Sequence, residues 1–280
     1  MKTYKETSKY KLYLGDVLEV LKAIPDDSID MIFTSPPYNL NLSKSKGDFK
    51  LEYDNYDDNM EWCEYKDWQV EVLNECYRVL NNDGQLFYNH KDKYKQKKFK
   101  CPFDIIKESK FKIRQDIIWY RKNCFNFSTG GFGDMYEHIY WLYKDTPIKI
   151  DTNHSILGDV WEINIEKNNK HPAPFPLELP LRAIYSMYGN NEGKTILDIF
   201  NGSGTTGVAT LLLNHNYIGI DISKKYLKMS EKRLENYMNE SLLGQKEIDK
   251  HQVKQGYKSP KKVTNQSSIF DFIDNTLDSK

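Results

Sequence analysis

The chain has 280 residues, 39% hydrophobic and 29% charged, which is an ordinary globular balance with length for one large α/β domain or two small ones. Lys and Arg number 40, as do Asp and Glu, so the formal net charge is zero; this neither requires nor excludes a polyanionic partner. No apolar run reaches the roughly 20 residues of a membrane helix, no signal peptide opens the chain, and Cys63, Cys76, Cys101 and Cys124 show no metal-binding spacing, so a cytoplasmic protein with unpaired thiols, off the membrane, is expected.

The segment KYKLYLGDVLEVLKAIPDDSIDMIFTSPPY (9–38) reads as strand, helix, strand. YKLYLGD alternates like a strand, VLEVLKAI places Val17, Leu18, Leu21 and Ile24 on one helical face, and SIDMIFT is a short buried strand. A polar loop spans 39–60. WCEYKDWQVEVLNECYRVL (62–80) has helical spacing and is expected to stop at 81–84, before a strand GQLFYNH (84–90). HKDKYKQKKFK (90–100) is a basic run, and FDIIKESK (103–110) looks helical. IRQDIIWYRK (113–122) and MYEHIYWLYK (135–144) read as strands joined by the Gly-rich connector NCFNFSTGGFGD, and 145–170 reads as polar and irregular. FPLELPLRAIYSMY (175–188) is a helix opened by proline. KTILDIFNGSGTTGVATLLLNHNYIGIDIS (194–223) is strand, glycine loop, helix, strand, and a long amphipathic helix follows over 224–243. The pattern then fades into a Lys-rich tail, 244–280. Strands alternating with helices predict an α/β fold with a doubly wound, mostly parallel sheet and an antiparallel member at one edge.

Two stretches carry chemistry. DIFNGSGTTG (198–207) holds G-x-G-x-x-G as Gly202, Gly204 and Gly207 between a strand and a helix, and Asp221 ends the next strand, where it could hold ribose hydroxyls. Glycines there permit a tight turn and let backbone N–H groups approach a ligand. The loop alone fits a nicotinamide cofactor or S-adenosylmethionine, but a dehydrogenase usually begins with its glycine loop, and here the loop comes late. In DMIFTSPPYNL (30–40), two prolines stop a strand and stiffen a corner that displays Ser35 and Tyr38. A nucleobase amino group is a poor nucleophile because its lone pair is delocalised. A serine oxygen and a rigid backbone carbonyl that accept from the NH2 would localise that pair, and an aromatic ring could stack on a base taken out of the duplex. The plain alternative is a strand-ending Pro-Pro turn.

TSPPY together with DIFNGSGTT resembles the DNA amino-methyltransferases, which modify N4 of cytosine or N6 of adenine, and the order of the two motifs matches the permuted β group of that family. HPAPFPLELPLRAI (171–184) resembles the segment that closes over the methionine end of the cofactor, and YLGD resembles the segment whose acid, here Asp16, meets its adenine. The resemblance implies a site-specific enzyme that transfers methyl from S-adenosyl-L-methionine, with no metal. It places Ser35, Pro36, Pro37 and Tyr38 at the target base, Asp16, Asp198, Phe200, Gly202, Ser203 and Gly204 at the cofactor, and Asp221 on its ribose. It implies a methyltransferase domain over 1–243, with DNA-recognition insertions around 39–60, 122–135 and 145–170; the basic run 90–100 and the connector's Phe125, Phe127 and Phe132 could share that work.

The implied partner is double-stranded DNA with a flipped base in a prokaryotic nucleoid. Serine in place of aspartate at the first motif position favours N4 of cytosine, with N6 of adenine as the alternative. A cognate restriction endonuclease and a homodimer are further expected partners. A non-catalytic binding module is the remote alternative, opposed by two intact motifs. In the tail, Gln266, Ile269 and Phe270 have the spacing of peptides that bind sliding clamps, against the plainer reading that Ile269, Phe270, Phe272 and Ile273 fold back onto the domain.

Overall fold

The computed structural model describes residues 2–39, 59–95, 97–122, 132–150, 155, 158–165, 175–189 and 193–243. Its strands are β1 (Lys2–Glu6), β2 (Tyr10–Leu14), β3 (Ile29–Thr34), β4 (Leu80–His90), β5 (Lys93–Lys95), β6 (Lys98–Lys100), β7 (Lys112–Tyr120), β8 (Tyr136–Tyr143), β9 (Val160–Glu162), β10 (Thr195–Asp198) and β11 (Asn216–Asp221). Its helices are α1 (Val17–Leu21), α2 (Trp62–Val79), α3 (Phe103–Ile106), α4 (Glu178–Tyr188), α5 (Thr205–Leu212) and α6 (Lys224–Leu243). Nine strands form one sheet in the order β1-β2-β11-β10-β3-β4-β8-β7-β9. The run from β2 to β4 is parallel throughout. β1 pairs antiparallel at one edge, and β8 pairs antiparallel with both β4 and β7 towards the other.

The central strands bury both faces, as a doubly wound sheet requires. Ile32, Leu86 and Tyr88 point into a core built with α1, α2 and α3. Their neighbours Met31, Phe33 and Phe87 point the other way, against Leu179, Leu181 and Ile184 of α4 and Ala209 of α5. The period of two along each strand thus feeds two cores. Helix α4 carries Pro180 in its first turn, where the missing N–H has no helical partner to lose.

Several local expectations are corrected. No loop separates α2 from β4: Leu80 is fully buried, pairs with Ile29, and starts the strand directly. The register then shifts between Ile29 and Met31, and Gly84 fits this kink because a Cβ there would lie 2.8 Å from the Asn81 carbonyl oxygen. The stretch 145–170 contains β9, which pairs parallel with β7 and extends the sheet by one strand. The basic run 90–100 forms the β5–β6 hairpin, a separate two-stranded sheet. On α1 it is Val17, Val20 and Leu21 that are buried; Leu18 is only partly so. Most of the 39–60 loop, Phe125 and Phe127 of the connector, Cys124, and the tail with its Gln266, Ile269 and Phe270 lie outside the described residues.

Candidate active site

β3 and β10 are adjacent and parallel, so the SPPY corner and the glycine loop leave the sheet side by side at its carboxyl edge. One carboxylate joins them. Asp198, fully buried at the end of β10, accepts from Thr34 Oγ1 at 2.9 Å, Phe200 N at 3.1 Å and Thr206 Oγ1 at 2.8 Å. Burial outweighs these donors and pushes its carboxyl up to about 6.

The glycine loop is clamped from within. Gly202 and Gly204 have φ of 47° and 79°, the region that favours glycine, and a Cβ on Gly204 would collide with Ser230 Oγ. Gly207 serves packing: a Cβ there would lie 2.6 Å from the Tyr217 ring. The amides of Phe200, Asn201, Gly202 and Gly204 bond to Asp198, the Ile220 carbonyl, Asp221 and the Asn201 carbonyl. These four amides therefore shape the loop from within. Ser203 accepts from Arg233 Nη1 of α6 through its carbonyl at 3.0 Å and its hydroxyl at 2.8 Å.

Asp221 accepts from Gly202 N at 2.7 Å and Ser223 N at 2.8 Å. Asp16 lies at the end of the neighbouring strand, where it caps α1 by accepting from Leu18 N at 2.9 Å and Glu19 N at 3.3 Å. The Gly15 amide reaches the Asp221 carbonyl at 3.1 Å, which brings the two acids to one rim. Ile222, 44% exposed, follows Asp221, and Phe200 is half-buried edge-on to Trp68, 5.9 Å between ring centroids. Two carboxylates at adjacent strand ends beside exposed apolar surface are the set that a nucleoside needs: acceptors for ribose hydroxyls and an adenine amino group, and a face for the ring. The residues present fit S-adenosylmethionine.

At the corner, Tyr65 of α2 donates to the Pro37 carbonyl at 2.8 Å, and its oxygen lies 2.7 Å from His90 Nε2. His90 Nδ1 lies 2.7 Å from the Lys91 amide nitrogen and 3.1 Å from the Lys91 carbonyl oxygen, so both ring nitrogens are engaged. Burial holds that ring neutral, lowering His90 to about 3. Among the described residues no donor reaches the Pro36 carbonyl. The His90 ring stacks behind Tyr38, 4.8 Å between centroids. The Ser35 and Tyr38 hydroxyls are 2.8 Å apart, and Tyr38 donates towards Glu137 Oε2 at 2.9 Å.

The structure therefore gathers every sequence-predicted site residue at the carboxyl edge of adjacent strands, some exposed and some buried. Asp198 is wholly internal and bonds to Thr34, Phe200 and Thr206. The contacts of Thr34, Tyr65, His90, Glu137 and Arg233, and the exposure of Ile222, escape sequence reading. Only Thr34 carries a local signal, as the last strand residue before the motif.

The DNA methylase family model for N6 and N4 enzymes matches residues 29–232. The chain is 30% identical over 251 residues to the type II methyltransferase M.HpaI of Haemophilus parainfluenzae, covering 82% of this chain and 75% of that protein. It is 28% identical over 258 residues to the DNA adenine methyltransferase YhdJ of Escherichia coli K12, covering 79% and 81%. The solved PvuII DNA methyltransferase, cytosine-N4-specific, shares the fold with a TM-score of 0.65 at 22% identity, over 98% of this chain and 94% of that one. A putative DNA modification methylase of Thermus thermophilus, solved with S-adenosyl-L-methionine, shares it with a TM-score of 0.59 at 21% identity, over 81% and 93%. This chain belongs to the N6/N4 DNA methylase family and is an S-adenosylmethionine-dependent DNA amino-methyltransferase.

Proposed function

We propose that the enzyme methylates N4 of a cytosine flipped out of double-stranded DNA. The observation that carries this reading is the pairing of Ser35 and the Pro36 carbonyl, unclaimed among the described residues, at the end of β3, one strand from the glycine loop and tied to it through Thr34 and Asp198. S-adenosylmethionine, when bound, supplies a methyl group on a sulfonium. Ser35 Oγ and the Pro36 carbonyl accept the two N–H bonds of the amino group and draw its lone pair out of the ring. The prolines hold that carbonyl in place before the base arrives, which is preorganisation. Pro37 keeps the corner rigid, because its own carbonyl is occupied by Tyr65. Tyr38, backed by His90, stacks on the base.

Asp221 and Asp16 hold the ribose and adenine of the cofactor, Phe200 and Ile222 line its ring, and Gly202, Ser203 and Gly204 give the chain a close approach. Asp198 sets the loop from behind. A companion endonuclease with the same recognition site is part of this reading; the type II relatives support it.

N6 of adenine is the second reading, favoured by the relative named as an adenine methyltransferase. Incubation with labelled S-adenosylmethionine and mixed-sequence DNA, followed by nucleoside analysis, decides. N4-methylcytosine is the expected product, N6-methyladenine selects the second reading, and DNA without label overturns both.

A further inference from the structure

Accepting the amino group and aligning the methyl donor leave one step without an agent. Once nitrogen has bonded to carbon and the thioether has left with its electron pair, the nitrogen is cationic and must lose a proton. Ser35 touches that nitrogen in the reading above, but a serine hydroxyl is a poor final base.

Behind Ser35 lies a chain of hydroxyls. Ser35 Oγ is 2.8 Å from the Tyr38 hydroxyl, which is 2.9 Å from Glu137 Oε2 and 3.2 Å from Asn89 Oδ1. Glu137, on the second residue of β8, is 8% exposed, and its other oxygen accepts from Arg121 Nη1 at 3.1 Å. Asn89 Nδ2 donates to the His138 carbonyl at 3.0 Å, which turns the amide oxygen towards Tyr38. A carboxylate only accepts. The single Tyr38 proton therefore points along the shorter, charge-assisted contact to Glu137. The Tyr38 oxygen accepts in turn from Ser35, whose proton is committed and whose lone pairs are left for the base.

We propose that Glu137 is the final acceptor of the proton released in methylation, reached through Ser35 and Tyr38. The N–H proton passes to Ser35 Oγ, the Ser35 proton to the Tyr38 oxygen, and the Tyr38 proton to Glu137 Oε2. One N–H and two O–H bonds break and three O–H bonds form. The cationic amine and the carboxylate both end neutral. The groups around Glu137 permit this. Arg121 and Lys91 hold its proton affinity down, and Lys91 is itself paired with Asp134 at 2.7 Å. Burial raises it by more, so the carboxyl stays above the ordinary carboxylate range. His138, next along the strand, bonds instead to Asp92 and Asp116.

The inference rests on Ser35 contacting the amino group, and its test separates the two claims. Single-turnover methylation is measured across pH for wild type, Ser35→Ala, Tyr38→Phe, Glu137→Gln and the Tyr38→Phe/Glu137→Gln double variant, with cofactor and DNA affinities alongside. Tyr38→Phe keeps the stacking ring and cuts the chain. Each relay variant should slow transfer by roughly 10²-fold with both affinities kept, and should lose the rise in rate as Glu137 ionises. The double variant should be no slower than the slower single, because both break one path. Glu137→Asp should recover part of the pH-dependent limb. Losses that multiply in the double variant, or wild-type rates and an intact limb in Glu137→Gln, overturn the relay. If Glu137→Gln does not fold, Tyr38→Phe decides alone: a retained limb overturns the relay. A wild-type rate in Ser35→Ala overturns the parent reading instead.

Discussion

Thr34 and Asp198 are 164 positions apart in the chain, yet Thr34 Oγ1 donates to Asp198 Oδ1 at 2.9 Å with both residues fully buried. The last residue of β3 is thereby bonded to the last residue of β10, and each is followed at once by one of the two motifs. The SPPY corner and the glycine loop share one buried carboxylate.

Thr34→Val keeps the shape and removes that donor. A hydrogen bond to a charged group contributes about 1.5–3 kcal/mol, so urea unfolding at neutral pH should show a loss of this order. A loss within about 0.5 kcal/mol, the usual range for an uninvolved surface change, would mean that the bond contributes little.

Ser35→Ala should leave cofactor binding intact and lower turnover. Removal of one preorganised partner of the developing charge typically costs about 10²–10³-fold in rate. Calorimetry with S-adenosylmethionine and initial-rate methylation together check this. Wild-type turnover in the variant would remove Ser35 from the chemistry.

Asp198 should reveal itself through pH. Its carboxyl is pushed up to about 6 by burial, above an unfolded value near 4. The folded chain thus binds this proton more tightly, and the stability so gained is complete below about pH 4 and lost as pH rises to about 6. Asp198→Asn cannot titrate. The difference in unfolding free energy, wild type minus variant, should therefore shrink from pH 4.5 to pH 7, with an upper bound of about 3 kcal/mol. His90, held neutral by burial, acts with the opposite sign in the same window, but it is present in both proteins and cancels. A difference that does not change with pH would place Asp198 in the normal range.

Asp221→Ala should weaken cofactor binding without altering DNA sequence preference, and it should also lower the melting temperature. The second effect follows because both oxygens already hold backbone amides, Gly202 and Ser223. Loss of a charged acceptor costs about 1.5–3 kcal/mol, which is roughly ten- to a hundredfold in affinity. Unchanged affinity by calorimetry would take Asp221 out of the cofactor site.

DNA binding should fall steeply with salt despite zero net charge. The β5–β6 hairpin exposes Lys97 and Lys98, together with the cross-strand pair Tyr94 and Phe99, 73% and 65% exposed. Lys100 is buried over the Trp62 ring and is not available to a phosphate. With about four phosphates neutralised, log K against log salt should slope at roughly −3.6, and Lys97→Gln with Lys98→Gln should bring the slope to roughly −1.8. A slope unchanged by the pair would remove the hairpin from the binding face.

The periodicity and the two motifs are legible in the sequence itself. Alternation along IDMIF and QLFY, with helical spacing between, was enough for a doubly wound parallel sheet, because strands buried on both faces and crossover helices leave distinct local patterns. Two Pro after a buried strand, and glycines after another, mark where backbone geometry is forced, so the two motifs could be placed at strand ends locally. Contacts between distant segments leave no such trace. That Asp198 meets Thr34, that Tyr65 holds the Pro37 carbonyl beside His90, and that Glu137 stands behind Tyr38 all depend on strand order and register. Hydrogen bonds between strands β3, β4, β8 and β10 fix that order, and only the folded sheet brings those side chains within 3 Å of one another.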